Sequence, residues 1–251
     1  MNRFFLGLCS VSFRGHTPKE ILEEMQKASL NLIEWGSDLH APANSPEALE
    51  KIANLQKEYG VTCHSYGTYF RVGVHPAVEI YPYIRAARAL GTRTLRLWAG
   101  EKNSEDFSPE EKEAFFNECR TLAEIAKNEG VVLCTECHNK TYTNCYESAL
   151  ELMRQTHSPH FRTYWQPNQF RSEEENVLAA KALSPFTENV HLFHWRGKEK
   201  HPLRDGKEIW KTYLSQFTGK EALLLEFMPD GKLTTLKREA DAAREILEEL
   251  G

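Results

Sequence analysis

Residues 108–139, SPEEKEAFFNECRTLAEIAKNEGVVLCTECHN, hold one complete unit of the pattern that decides the fold. Ser108 and Glu111 have the spacing of a capping box, and Gly130 is the type of residue that ends a helix. The short apolar run after Gly130 is typical of a buried parallel strand. This run ends at Glu136, so the stretch predicts an amphipathic helix followed by a strand with a polar end.

The same alternation continues along the whole chain. Across 251 residues, eight short apolar runs are each followed by an amphipathic helical stretch. The sequence therefore predicts an α/β fold, a (β/α)₈ TIM barrel. We expect one domain over residues 1–251. An open doubly wound sheet is the alternative, but the chain lacks the G-x-G-x-x-G turn typical of that fold.

Composition restricts the classes of function. The net charge is −5, and basic and acidic residues are interspersed without a basic stripe, so we expect no nucleic-acid partner. No apolar run of membrane-spanning length occurs, so we expect no membrane partner. The six cysteines show no disulfide framework, and residues 1–11 are more typical of a strand than of a signal peptide. We therefore expect a cytoplasmic protein with reduced thiols.

Polar side chains stand at the ends of the last four predicted strands. They are Glu136, Gln166, His194 and Glu226. A carboxylate at the end of an apolar strand is costly to bury unless it is paired or binds a metal. Because the ends of barrel strands meet at one mouth, these four side chains are expected to converge. Their oxygen and nitrogen atoms suit Mn²⁺, Mg²⁺, Co²⁺ or Zn²⁺.

The histidine of this set has two candidates on one predicted strand, residues 190–195. Alternation places Val190, Leu192 and His194 on one face of the strand and His191 on the other. An apolar stretch that ends in a ligand favours His194 over His191 as the side chain at the mouth.

At these residues the chain resembles the xylose-isomerase-like TIM barrels. This family contains sugar (phosphate) isomerases and epimerases, and AP endonucleases belong to the same superfamily. The resemblance covers essentially the whole chain. It is carried by Glu136 with His138, by residues 164–168, by residues 191–196 and by Glu226.

The resemblance implies a metal site and a reaction. In the family, strands five to eight supply Glu, Asp, His and Glu to one divalent metal. Glu136 and Glu226 would then be ligands and the catalytic acid/base pair, and His194 the imidazole ligand. Gln166 falls at the aspartate position. An amide oxygen binds a cation more weakly than a carboxylate, so we expect one metal per chain that is weak, different or absent.

The implied activity is that of a metal-dependent isomerase or epimerase of a small sugar or sugar derivative. A metal that polarises a carbonyl acidifies the neighbouring C–H. One glutamate then removes the proton to give an enediolate, and the other returns it. A lyase or dehydratase is an alternative because elimination begins with the same proton abstraction.

Two further functions remain open at this stage. A non-catalytic sugar-binding barrel is favoured by Gln166 alone. An AP-endonuclease-like phosphodiesterase is disfavoured by the net charge of −5 and by the short ligand set. The sequence leaves association into a homo-oligomer open.

Further residues near predicted strand ends are expected to contact the carbohydrate substrate or to support those that do. Glu34 ends the second predicted strand, and His64 lies near the end of the third, residues 61–66. Arg96 is improbable in a barrel wall unless it is paired, and Glu34 and Glu136 are its expected partners. The predicted substrate contacts are Glu34, His64, Trp98, His138 and Arg196.

Overall fold

The computed structural model describes residues 4–250, in which eight parallel strands form a closed barrel. This confirms the predicted TIM barrel. The predicted domain of residues 1–251 includes residues 1–3 and 251, which lie outside the described part. The barrel strands are β1 (Phe5–Cys9), β2 (Leu32–Gly36), β3 (Thr62–Arg71), β4 (Thr94–Trp98), β5 (Val132–Glu136), β6 (Phe161–Trp165), β7 (Thr187–Leu192) and β10 (Ala222–Leu225). Between the last two, β8 (His194–Arg196) and β9 (Glu199–His201) form an antiparallel hairpin.

Eight α-helices occur within residues 4–250, one after each barrel strand. They are α1 (Pro18–Lys27), α2 (Pro46–Tyr59), α3 (Ile80–Leu90), α4 (Pro109–Glu129), α5 (Tyr146–Thr156), α6 (Glu173–Leu183), α7 (Lys207–Leu214) and α8 (Leu236–Glu249). At the start of α4, Ser108 and Glu111 form both hydrogen bonds of the expected capping box. None of these helices is long and apolar enough to cross a membrane.

The two faces of the barrel strands have different surroundings. Leu133, Val190 and Leu192 belong to the large apolar cluster that includes buried residues of the surrounding helices. Cys134 and Leu224 belong to a separate small cluster inside the barrel. They lie two residues before Glu136 and Glu226 on their strands, so this cluster lies beneath the two carboxylates. The apolar side of a strand in this fold is therefore the outer side, while the interior near the mouth is polar.

Two strands differ from the sequence expectation in ways that move site residues. The third strand continues to Arg71, so His64 lies near its beginning rather than near its end. The seventh strand stops at Leu192, and His194 already belongs to the hairpin. Periodicity located both strands, but it did not locate their ends.

Gly7 of β1 provides a test of the close packing between neighbouring strands. A Cβ at this position would lie 2.8 Å from the backbone oxygen of Leu32 and 3.0 Å from Leu224 Cδ2. We expect Gly7→Ala to lower the free energy of unfolding in urea by about 1–3 kcal/mol, because a backbone oxygen cannot move aside as a side chain does. Gly15→Ala is the control, since nothing lies within 4 Å of its added methyl group. Equal stability of the two variants would contradict this packing.

Candidate active site

A cavity of about 310 Å³ opens at the carboxyl-terminal mouth of the barrel. Its floor carries Glu136 at the end of β5 and Glu226 directly after β10. Parallel strands place such ends at one mouth, where barrel enzymes carry their active sites. Other residues on its wall are Arg14, Tyr69, Trp98, His138, Gln166, Trp195 and Phe227.

The imidazole of His191 lies at the centre of the polar cluster below this cavity. Its Nδ1 is 2.8 Å from Gln166 Oε1, 3.4 Å from Glu226 Oε2 and 3.6 Å from Glu136 Oε1. The Gln166 amide donates through Nε2 to the backbone oxygen of Cys137, so its oxygen is the atom turned toward His191. His191 therefore donates from Nδ1 to Gln166. Four side chains that can bind a metal thus surround one point.

His194 does not join this cluster, so the expected position of this residue at the centre of the mouth is wrong. His194 lies in β8 with its ring centroid 5.9 Å from that of His201, and a Cβ on Gly206 would lie 2.5 Å from its Nδ1. The side chain is buried against the hairpin and the turn before α7. The error arose because the apolar alternate residues of β7 were assigned to the interior. They pack outward on the helices, and the residue between them, His191, points inward.

A buried arginine at the cavity floor connects Glu136 to a second carboxylate, Glu34, which lies below the floor. Arg96 of β4 donates from Nε to Glu34 Oε1 at 3.1 Å and from Nη1 to Glu136 Oε2. Glu34 also accepts a hydrogen bond from Ser65 Oγ at 2.8 Å. A buried charge is tolerated only when it is paired and hydrogen-bonded, as it is here. Gly67 leaves room for this arrangement, because a Cβ there would lie 2.7 Å from Arg96 Nη2.

The two glutamates of the cluster differ in their electrostatic surroundings. Burial opposes ionisation of Glu136, but Arg96 and His191 outweigh burial and lower its pKa. Burial raises the pKa of Glu226 to about 7, with a further contribution from the charge of Glu136. Burial favours neutral His191, but Glu226 and Glu136 outweigh it and raise its pKa to about 9. One carboxylate is therefore held ionised, and the other titrates near neutral pH.

Three of the predicted substrate contacts do not reach the cavity wall. Glu34 lies below it, in contact with Arg96. His64 lies near the start of β3, with its Nε2 2.9 Å from Asn189 Oδ1. Arg196 is exposed on β8. The expectation for His64 failed because β3 is longer than predicted.

The other two predicted contacts do line the cavity. The rings of Trp98 and His138 meet edge to face with centroids 4.7 Å apart. Their roles in binding stay predictions.

Sequence analysis missed Arg14, which also lines the cavity. Its Nε is 2.6 Å from Asp38 Oδ2, and its Nη2 donates to Tyr69 Oη at 2.6 Å. The available signal was its position just beyond the end of the first strand, equivalent to the polar residues after the later strands.

The cluster has the composition and spacing of a divalent-metal site. One ligand atom from each of Glu136, His191 and Glu226 lies within 4.8 Å of the others. Gln166 Oε1 supplies a fourth donor beside His191. Two carboxylates, an imidazole and an amide oxygen fit Mn²⁺, Mg²⁺, Co²⁺ or Zn²⁺. A second grouping, of Cys9, Glu34 and His191, lies deeper in the barrel, where Arg96 already neutralises Glu34.

Comparison with known proteins agrees with the barrel fold. The family described as xylose isomerase-like TIM barrel matches residues 22–250. The chain belongs to this family. A 3-dehydroshikimate dehydratase of Bacillus anthracis is 31% identical over 206 residues, which cover 74% of this chain and 70% of that protein.

Solved structures of similar proteins share the fold at lower identity. The probable 3-DHS dehydratase AsbF of Bacillus anthracis superposes with a TM-score of 0.79 at 18% identity, covering 96% of this chain and 98% of that one. The IOLI protein with a bound zinc atom has a TM-score of 0.78 at 13% identity and 99% coverage of both chains. D-psicose 3-epimerase of Clostridium cellulolyticum has a TM-score of 0.73 at 13% identity, with 98% and 99% covered.

The charge balance beneath the site leads to a stability prediction for Arg96. We expect Arg96→Met to lower the free energy of unfolding by about 3–5 kcal/mol, because Glu34 and Glu136 would be left buried without their cation. Arg88→Met is the matched control: Arg88 pairs with Glu129, but its side chain is 49% exposed. That loss should be about 1 kcal/mol or less in urea denaturation. A similarly small loss for Arg96→Met would show that the buried ion pairs contribute no more to stability than an exposed one.

Proposed function

We propose that this chain is a divalent-metal-dependent dehydratase of a small, hydroxylated, carbohydrate-like carbonyl compound. The single observation that carries the proposal is the asymmetric pair of glutamates around one metal-binding point. Glu136 forms an ion pair with Arg96, while Glu226 interacts with that arginine only at longer range and burial raises its pKa to about 7. The 31% identity to a 3-dehydroshikimate dehydratase supports elimination as the outcome.

The metal-binding residues in this proposal are Glu136, His191, Glu226 and Gln166. A divalent ion held there would polarise a substrate carbonyl and acidify the adjacent C–H. Arg96 keeps Glu136 ionised, so that this carboxylate remains available as a ligand. Gln166 contributes no charge, so its oxygen adds a weaker contact than an aspartate would.

Glu226 acts as the general base in the proposed reaction. Its pKa of about 7 in the metal-free protein would fall when a divalent cation binds beside it, so this carboxylate would be ionised at neutral pH and able to accept a proton. It takes the proton beside the carbonyl and leaves an enolate. Glu226 then gives this proton to the hydroxyl group on the next carbon as the C–O bond breaks, so that the enolate becomes an unsaturated carbonyl compound and water is released.

Aromatic side chains form much of the wall around this chemistry. Trp98, Trp195 and Phe227 line the cavity, and the rings of Trp195 and Phe227 pack with centroids 5.4 Å apart. Such rings suit the C–H face of a carbohydrate-like or cyclic substrate and exclude water from the reacting carbon.

An epimerase is the second candidate because Glu136 and Glu226 both face the same imidazole nitrogen, at 3.6 and 3.4 Å. Epimerisation requires one carboxylate to accept a proton and the other to supply one. The ion pair with Arg96 disfavours protonation of Glu136, so Glu136 is a poor proton donor. This favours an elimination that uses Glu226 as the single base. Mass spectrometry of the product formed from hydroxylated carbonyl compounds in D₂O distinguishes the two: loss of water supports the dehydratase, and a product that retains all its oxygen atoms and is heavier by one exchanged deuterium supports the epimerase.

The choice between His191 and His194 has a direct test. We expect His191→Asn to weaken Mn²⁺ binding, measured by calorimetric titration, by about 100-fold, because a ligand is lost from the centre of the site. His194→Asn should retain the wild-type affinity, since that side chain lies in the hairpin. Loss of affinity in His194→Asn alone would overturn the assigned ligand set. Wild-type protein that binds substrate but no metal would favour a non-catalytic barrel.

Metal affinity should depend on pH in a defined direction. The bound ion requires ionised Glu226 and unprotonated His191, whose pKa values in the metal-free protein are about 7 and about 9. Binding therefore releases protons, and affinity rises with pH up to these values. Between pH 6 and 8 we expect Mn²⁺ affinity to increase by about 100-fold or more, at about tenfold per pH unit per displaced proton. Glu226→Gln should show a weaker dependence below pH 7, and a flat wild-type profile would contradict the assignment.

A further inference from the structure

The backbone immediately after Glu226 adopts an unusual conformation. Phe227 has φ +55°, in the left-handed region that a bulky L-residue rarely occupies. Such a conformation costs of order 1 kcal/mol or more in a non-glycine residue and persists only where the surroundings enforce it. This strained residue adjoins the side chain that carries the proposed chemistry.

Two hydrogen bonds hold the backbone at Glu226 and at the start of the bend. The Glu226 N–H donates to the oxygen of Leu192 at 3.1 Å, which continues the pairing of β10 with β7. The Phe227 N–H donates to Ser12 Oγ at 2.9 Å. Ser12 lies in a short 3₁₀ turn, Ser10–Phe13, directly after β1. The backbone of Glu226 and Phe227 is thus held from β7 on one side and from the turn after β1 on the other.

The ring of Phe227 makes contacts that a glycine at this position would lack. It packs against Trp195, and Lys200 Nζ lies 5.2 Å from each of these two ring centroids. Phe227 also lines the cavity. A glycine would adopt the same φ without strain, but it would leave the wall open and let the backbone after Glu226 vary.

We propose that Ser12 and Phe227 are positioning residues that fix the direction of the Glu226 carboxylate. The left-handed bend at Phe227 turns the chain away from β10. The Ser12 hydroxyl, in the turn after β1, holds this bend in place, and the Glu226 carboxylate therefore faces His191. This inference rests on the proposed metal site. Groups that orient metal ligands in this way change affinity by about 10–100-fold when they are removed.

The first test measures Mn²⁺ affinity by calorimetric titration. Ser12→Ala should weaken binding by about tenfold, and Ser12→Thr, which keeps the hydroxyl, should restore most of it. Ser158→Ala is the matched control: Ser158 Oγ also accepts from a backbone N–H, that of His160 at 3.2 Å, but just before β6 at the other end of the barrel. This control should bind as the wild type does.

A second pair of variants separates positioning from general stability. Phe227→Ala keeps the strained φ and loses the ring, whereas Phe227→Gly loses both. Relief of strain should make the glycine variant equal to or more stable than the alanine variant in thermal unfolding. Its Mn²⁺ affinity should nevertheless be lower, because the bend is no longer held in one conformation.

The outcomes separate this inference from the proposed function. A wild type that binds no Mn²⁺ removes the metal site itself. A wild type that binds, with Ser12→Ala binding equally well, overturns the positioning role alone. The positioning role would also be overturned if Phe227→Gly, being at least as stable as Phe227→Ala, bound Mn²⁺ at least as tightly. A purely structural role of Phe227 predicts that result. If Ser12→Ala does not fold, the Phe227 pair decides.

Discussion

The ion-pair bridge from Glu34 through Arg96 to Glu136 is the interaction on which the rest of the site depends. These three charged side chains are buried inside the barrel, and each is tolerated there only because it is paired with an opposite charge. The arginine spans from the layer below the cavity to its floor. It therefore joins the stability of the barrel interior to the ionisation of a side chain at the mouth.

This bridge makes two chemically identical side chains behave differently. Glu136 is within reach of Arg96 and stays ionised, while burial dominates at Glu226 and raises its pKa to about 7. The same environment raises the pKa of His191, which touches both. Two different ionisation behaviours thus arise from one residue type through position alone, and the proposed function assigns them to an acid/base group and to a charged ligand. The proposed elimination uses this difference, and a symmetric pair would suit proton transfer across two faces better.

The path of the chain beyond the strands completes the site. The hairpin of β8 and β9 brings Trp195 and Lys200 over Phe227, and the turn after β1 brings Ser12 to the backbone of the same residue. The wall of the cavity and the direction of Glu226 are therefore set by segments distant in sequence. Sequence periodicity contains no signal for such contacts, which explains why the contacts of Phe227 with Trp195 and Ser12 did not emerge from the pattern of strand ends.

The sequence by itself determined the barrel, because caps, helix-ending glycines and alternating periods are local properties that eight units repeat. It also identified Glu136, Gln166 and Glu226 as side chains that meet at the barrel mouth, since a polar residue at the end of an apolar strand can be recognised from the sequence. Only the tertiary structure decided between His191 and His194. Alternation divides a strand into two faces but does not say which one faces the helices. In this barrel the apolar face packs outward and β7 ends at Leu192, so His191 points to the centre and His194 belongs to the hairpin.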